Sequence, residues 1–184
     1  NIEVYLYNSD RKSEKITNLV ATTTNIEDGK VTRINLDPSQ VFEEKVNDNY
    51  TIFKFVLPNI KEGSVITYSY TFESPFLFNF NSWKFQEDIP KLYSEYNTSI
   101  PGNYDYNIKL VGELKLSVNQ SDIKKYCIQL DNGASADCTI GKYVMKDIPA
   151  FIEEDYTTAS KNYISRMEYE LKVIKGFDGS VQNI

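Results

Sequence analysis

Histidine is absent from these 184 residues. That removes the usual general base and the commonest zinc ligand, and with them Ser-His-Asp and Cys-His catalysis within this chain. Basic charge is in short supply: 20 Lys and Arg stand against 26 Asp and Glu, a net charge of −6. Nucleic acid is therefore not an expected partner, because releasing its counterions takes a basic face. Only eight Gly occur, and none falls into a GxGxxG or GxxxxGK phosphate loop. No apolar run approaches the about 18 residues of a membrane helix, and the longest cluster, Phe76 to Phe85, is broken by Asn and Ser. No basic-then-apolar leader is present. These absences exclude several function classes and assign none; no cofactor or metal is expected.

What the chain has in quantity suits strands. It contains 12 Val, 18 Ile, 12 Thr and 25 aromatics, more than a third of its length, against five Ala. Period-2 alternation recurs. Ile66, Tyr68, Tyr70 and Phe72 share one face; Tyr104, Tyr106, Ile108 and Leu110 another; Leu114, Leu116 and Val118 a third; Met167, Tyr169, Leu171 and Val173 a fourth. Each segment is expected to have one buried and one wet face, as antiparallel sheets allow. Asp28-Gly29 marks a hairpin between Ala21–Glu27 and Val31–Leu36, and Pro58-Asn59, Glu62-Gly63, Pro75, Pro90, Pro101-Gly102 and Pro149 mark further corners.

About ten to twelve strands are expected, too many for one small flat sheet. The expectation is an all-β, antiparallel sandwich of two packed sheets over residues 1–175, with a closed barrel as its rival. Residues 176–184 lose the alternation and read as a linker toward a following domain. The chain opens at Asn1 already in a strand pattern, so it is read as a piece of a longer protein.

The two Cys flank Asn132-Gly133 in CIQLDNGASADC. A two-residue type I′ turn there makes paired residues sum to 265 and puts Cys127 opposite Cys138, about 5.5 Å apart at Cα and within disulfide reach. The other reading is two free thiols in a looser loop, since Ala134-Ser135-Ala136 is a poor strand. A disulfide would point to an oxidising periplasmic or extracellular setting. A reactive thiol is not expected without an imidazole to activate it.

The densest local feature is SPFLFNFNSWKFQEDIP, residues 74–90, with Phe76, Phe78, Phe80, Trp83 and Phe85 within ten positions. As an exposed platform these rings could stack on sugars or dock a neighbouring domain; as part of a strand they fill the core. Trp83 and Phe85, alternating with Lys84 and Gln86, are read as core, and both readings stand open for Phe76 to Phe80. The acidic loop DIPAFIEEDY, residues 147–156, lacks the spacing of a calcium loop and reads as a solvated connection pinned by Pro149, Phe151 and Ile152. Carboxylate pairs for glycoside hydrolysis would arise by chance among 26 acids and carry little weight.

The blocks KFVLPNIKEGSVITYSYTFESPF, WKFQEDIPKLYSEY and DIPAFIEEDYTTASKNYISRMEYEL, in this order between about Ile16 and Leu171, resemble domain-of-unknown-function family 3857 of bacterial, especially Bacteroidetes-type, exported proteins. The resemblance implies an immunoglobulin-like β-sandwich that precedes a transglutaminase-like, papain-like domain, and whose first strand or two would lie upstream of Asn1. The Cys, His and Asp of that fold would belong to the next domain, so neither Cys127 nor Cys138 inherits the nucleophile role. It thus implies a noncatalytic accessory or interaction module, periplasmic or at the cell surface, whose partner is the neighbouring domain of the same chain. A glycan or peptide ligand is compatible with it. The candidate interaction surface comprises Phe76, Phe78, Phe80, Trp83, Phe151 and Tyr156. The alternative is a carbohydrate-binding module that stacks sugars on Trp83, Tyr93 or Tyr96.

Overall fold

The computed structural model describes residues 1–9, 11–76, 80–129, 133–153, 159 and 162–184. The chain divides into two compact units, Asn1–Phe76 and Leu77–Ile184, where the sequence suggested one sandwich over residues 1–175. No Gly- or Pro-rich linker announces the division, which falls inside the aromatic run 76–85.

The first unit contains strands β1 (Ile2–Ser9), β2 (Lys12–Ser13), β3 (Lys15–Glu27), β4 (Lys30–Asn35), β5 (Val41–Lys45), β6 (Tyr50–Phe55) and β7 (Val65–Glu73), with one 3-10 turn, Pro38–Gln40. They form two antiparallel sheets, ordered β2-β1-β6-β5 and β4-β3-β7. The β3–β4 hairpin turns on Asp28 and Gly29 as expected. Both have positive φ, 49° and 75°, so this is the mirror-image turn whose twist matches its strands, and Glu27 pairs with Lys30. The inner faces close on Leu6, Ala21, Phe53, Phe55 and Leu57, with Phe72 of β7 packed against them. A buried carboxylate adds a polar tie: Glu14 accepts hydrogen bonds from the Tyr7 amide (2.7 Å) and the Ser74 hydroxyl (2.9 Å).

Strand β7 departs from expectation. Ile66, Tyr68 and Tyr70 share a face with Phe72, yet they remain 41%, 51% and 38% exposed. Tyr68 touches the core only edge-on, its ring 5.7 Å from that of Phe55. The reason is position: β7 is the last strand of a three-stranded sheet, and a period of two says which side chains share a face, not whether that face is covered.

The second unit holds β8 (Trp83–Lys84), β9 (Lys91–Pro101), β10 (Tyr104–Val111), β11 (Val118–Gln129), β12 (Ser135–Ile148), β13 (Arg166–Lys175) and β14 (Val181–Asn183). One antiparallel sheet runs β11-β12-β9; the other runs β10-β13-β14, with β8 also paired to β13. Phe85, Ile100, Tyr143, Met145, Ile148, Met167 and Tyr169 form its core. Leu114 and Leu116 pack against that core from an irregular segment, not from the strand their alternation suggested.

Both units are antiparallel β-sandwiches, as the composition and alternation indicated, and the open sheet edges distinguish them from the barrel. Among the described residues fourteen strands are present instead of ten to twelve, because β2, β8 and β14 have two or three residues each and leave no alternation to read. Residues 176–184 are likewise not a plain linker. The Gly176 amide bonds the Ser180 carbonyl (2.8 Å) and Asp178 accepts from the Ser180 amide (2.9 Å), turning the chain so that Val181–Asn183 pairs with β13.

Cys127 and Cys138 are joined in a disulfide, with Cα atoms 5.8 Å apart. The register differs from the one that suggested it. The last pairs before the turn are Ile128 with Ala136 and Gln129 with Ser135, whereas Cys138 lies opposite Lys124. A bulge places Lys125, Tyr126 and Cys127 against Asp137 alone. Tyr126 takes positive φ (52°) there, and its amide is held by the Asp137 carboxylate at 2.8 Å. Turn residues 130–132 lie outside the described residues. With a sequence separation of 11, chain entropy puts the bond's contribution at about 2–3 kcal/mol. Urea unfolding with and without reductant is expected to show that loss as a lower midpoint, and the Cys127→Ser/Cys138→Ser variant should match the reduced chain.

Candidate functional site

The six side chains proposed as an interaction surface are not assembled into one. Phe76 belongs to the first unit, is buried, and sets its ring edge-on to Tyr7 at 5.0 Å. Phe80 is half-buried in the second unit, packed on Tyr169 (4.8 Å) and Tyr106 (5.2 Å). Phe151 is half-buried, and its amide bonds the Glu87 carbonyl at 2.7 Å. Phe78 and Tyr156 fall outside the described residues.

Trp83 and Phe85 were both read as core, and only Phe85 is fully buried. Trp83 sits in the two-residue β8 and stays 38% exposed. One of its faces is stacked on Tyr96 (5.3 Å, 6°), and its Nε1–H donates to Ser94 Oγ at 3.2 Å. The glycan-stacking set is not brought together either. Tyr93 and Tyr96 occupy odd and even positions of β9, so they lie on opposite faces of the sheet. Tyr96 packs against the core and Tyr93 is exposed.

A cleft of about 410 Å³ does form in the second unit where Phe80, Asn81 and Ser82 meet β10 and β13. Asn107, Lys109, Glu168 and Glu170 supply polar groups of both signs, and Phe80 and Tyr169, whose rings pack on each other at 4.8 Å, complete its lining while Tyr169 belongs to the core. The pairing of β10 with β13 places Asn107 opposite Glu170 and Lys109 opposite Glu168. Two guanidinium nitrogens of Arg166 converge on one oxygen of Glu168, Nη2 at 2.6 Å and Nε at 2.7 Å. That carboxylate is thereby oriented along the strand. The arrangement can bind a polar chain through amide and charged donors and acceptors. A second cleft, of about 460 Å³ in the first unit, is lined by residues such as Leu19, Leu36, Val41 and Phe53. No charged side chain lines it among the described residues.

On the other face of β9 a compact network surrounds Glu95. The Tyr93 hydroxyl donates to it, as do Asn97 Nδ2 (2.6 Å) and Lys142 Nζ (3.2 Å). The three donors, Tyr93 foremost, hold its carboxyl down at about 2. Because the folded-state value is depressed, the network's contribution is complete above the ordinary carboxylate range. It is lost as pH falls through about 2. A carboxyl-detected NMR titration is expected to place the Glu95 midpoint near 2, and Tyr93→Phe to move it back up. Within the core, burial and then the neighbouring Tyr143 push the Tyr96 hydroxyl up to about 12.

Sequence reasoning missed a buried polar hub. The Gln86 side chain accepts from the Ser165 amide (3.3 Å) and donates to the Pro149 carbonyl (3.2 Å). The Ser165 carbonyl in turn receives the amides of Phe85 (2.9 Å) and Gln86 (3.2 Å). The two Asp-Ile-Pro corners meet beside it, with Ile148 paired to Lys91. The hub joins residues far apart in sequence, and the alternation with Trp83 and Phe85 put Gln86 on the outward face, so no local pattern marked it.

A family model described as a domain of unknown function with a solved structure (DUF3857) matches residues 4–136. A solved structure from Parabacteroides distasonis, described as a putative protease, is similar in fold. Its TM-score is 0.62 at 15% identity, and the match covers 91% of this chain and 32% of that one. The chain thus spans about a third of that protein's length. No curated protein matches it.

Proposed function

The chain belongs to the DUF3857 family, and from that premise we propose that it is a noncatalytic interaction module of an exported bacterial protein. In this reading the chemistry resides in a protease-like, transglutaminase-like domain elsewhere in a longer chain. The disulfide carries the proposal. It joins the chain's two cysteines to each other, so no thiol remains as a nucleophile and no imidazole exists to activate one. The same bond favours a periplasmic or extracellular location. The likeness to part of a larger protein described as a protease supports the neighbouring domain.

The ligand class follows from the cleft at Phe80. Its amides and its paired charges of both signs suit an extended peptide, which offers a donor and an acceptor at each residue. Trp83, the single tryptophan, is next to the cleft residue Ser82 and can report occupancy. Titrating the chain with unfolded casein peptides is expected to change its fluorescence saturably. The Asn107→Ala/Lys109→Ala variant should bind about tenfold more weakly, and mass spectrometry should find the peptides intact. Cleaved peptides would overturn the noncatalytic reading. Calorimetric heat with a glycan panel and none with peptides would replace it with carbohydrate binding.

A further inference from the structure

Among the described residues, the outermost strands of the four sheets are guarded, with one exception. Natural sheets blunt their exposed edges with charge, shortness or bulges, because an unpaired row of N–H and C=O groups recruits other strands. Strands β2, β8 and β14 have two or three residues each. The longer edges β4, β5, β9, β10 and β11 each carry at least two charged side chains. β7, VITYSYTFE, is nine residues long, contains neither Pro nor Gly, and is uncharged until its terminal Glu73. Eight of its nine residues are exposed.

The sequence of this edge also says what pairs with it. Thr67-Tyr68-Ser69-Tyr70-Thr71 reads the same in both directions, and it is flanked by apolar Ile66 and Phe72. An antiparallel partner with the same sequence, related by a two-fold axis through Ser69, meets it in register. Thr67 falls opposite the partner's Thr71, Tyr68 opposite the partner's Tyr70, and Ile66 opposite the partner's Phe72. Every pair is like with like, and side chains keep to their own face because the pairing preserves parity. The acidic Glu73 side chains lie at opposite ends of the paired strands, away from each other. This is the self-complementarity an isologous interface requires.

We propose that the protein forms a two-fold symmetric homodimer by β7-to-β7 pairing, joining two three-stranded sheets into one of six strands in the order β4-β3-β7-β7-β3-β4. The proposal is independent of the peptide-binding reading, which concerns the second unit.

Two substitutions on the solvent-facing side of β7 test the register as well as the contact. Thr67→Lys/Thr71→Lys places two like charges opposite one another at two symmetric positions. Thr67→Lys/Thr71→Glu places opposite charges there and makes the same number of changes. Sedimentation equilibrium of the full chain is expected to show concentration-dependent dimers for the unmodified protein. The first variant should weaken dimerisation about tenfold or more, and the second should keep it. Ser69→Cys, at the axis, is expected to give a covalent dimer under oxidation, since facing Cα atoms there would be about 4.5–5.5 Å apart. A chain that stays monomeric at every concentration overturns the proposal. So does a dimer indifferent to which charge pair is introduced, or one that Ser69→Cys fails to crosslink.

Discussion

Gly112→Ala is expected to cost about 2–5 kcal/mol of stability. Two independent penalties coincide at this residue. Its φ is +92°, a conformation that L side chains rarely adopt, and a Cβ there would lie 2.6 Å from the Ser165 Cα and 2.8 Å from its amide nitrogen. Backbone cannot step aside as a flexible side chain can. Moving Ser165 would also disturb the carbonyl that receives the Phe85 and Gln86 amides and the hydroxyl that receives the Leu114 amide at 3.3 Å. Gly63 separates the two penalties: its φ is +83°, but nothing lies within 4 Å of the added Cβ. Gly63→Ala should therefore show the conformational part alone, about 1 kcal/mol. Equal urea midpoints for the two variants would show that contact with Ser165 plays no role.

Phe55→Ala is expected to be comparably severe, about 3–5 kcal/mol. Phe55 is completely buried on β6, between Phe53 at 6.4 Å and the ring of Tyr68 at 5.7 Å. Truncation removes the ring and leaves a cavity bounded by two sheets that cannot both collapse onto it. Phe55→Leu should recover most of the loss, leaving about 1–1.5 kcal/mol. Circular dichroism followed through urea unfolding gives both numbers, and a near-neutral Phe55→Ala would mean that the core lies elsewhere.

How far the sequence could be read depended on the range over which each feature is encoded. The Asp28-Gly29 hairpin was fully legible because a two-residue turn with both φ values positive is specified by the two residues that make it. The sandwich class was legible because alternation recurs on many segments. Coverage was not: nothing within VITYSYTFE states that β7 is an edge strand, so the faces were right and their burial was wrong. The disulfide was anticipated from spacing, while its register was shifted by a bulge at Tyr126, an ordinary residue that gives no warning of positive φ. The division at Phe76 was hidden because aromatic residues continue across it.

The same distinction applies to the candidate site. Phe80 was picked out by the density of rings around it, and it does line a cleft. Asn107, Lys109, Glu168 and Glu170 were invisible as a group, because only the pairing of β10 with β13 brings them together. Gln86 and Ser165 are 79 residues apart, and no local pattern connects them.

The crosslink at the end of the β11–β12 hairpin also bears on the order of assembly. Strand β12 is the middle strand of its sheet, and its other neighbour, β9, must arrive from a distant part of the chain. Closing such a long segment is slow, because its entropy is lost before its contacts form. In the oxidised chain β11 and β12 are tethered beside each other throughout that search, so half of the sheet stands ready as a template. An interaction already present in the transition state changes the folding rate and leaves the unfolding rate nearly alone. The disulfide is therefore expected to speed formation of the native sheet more than it slows its loss.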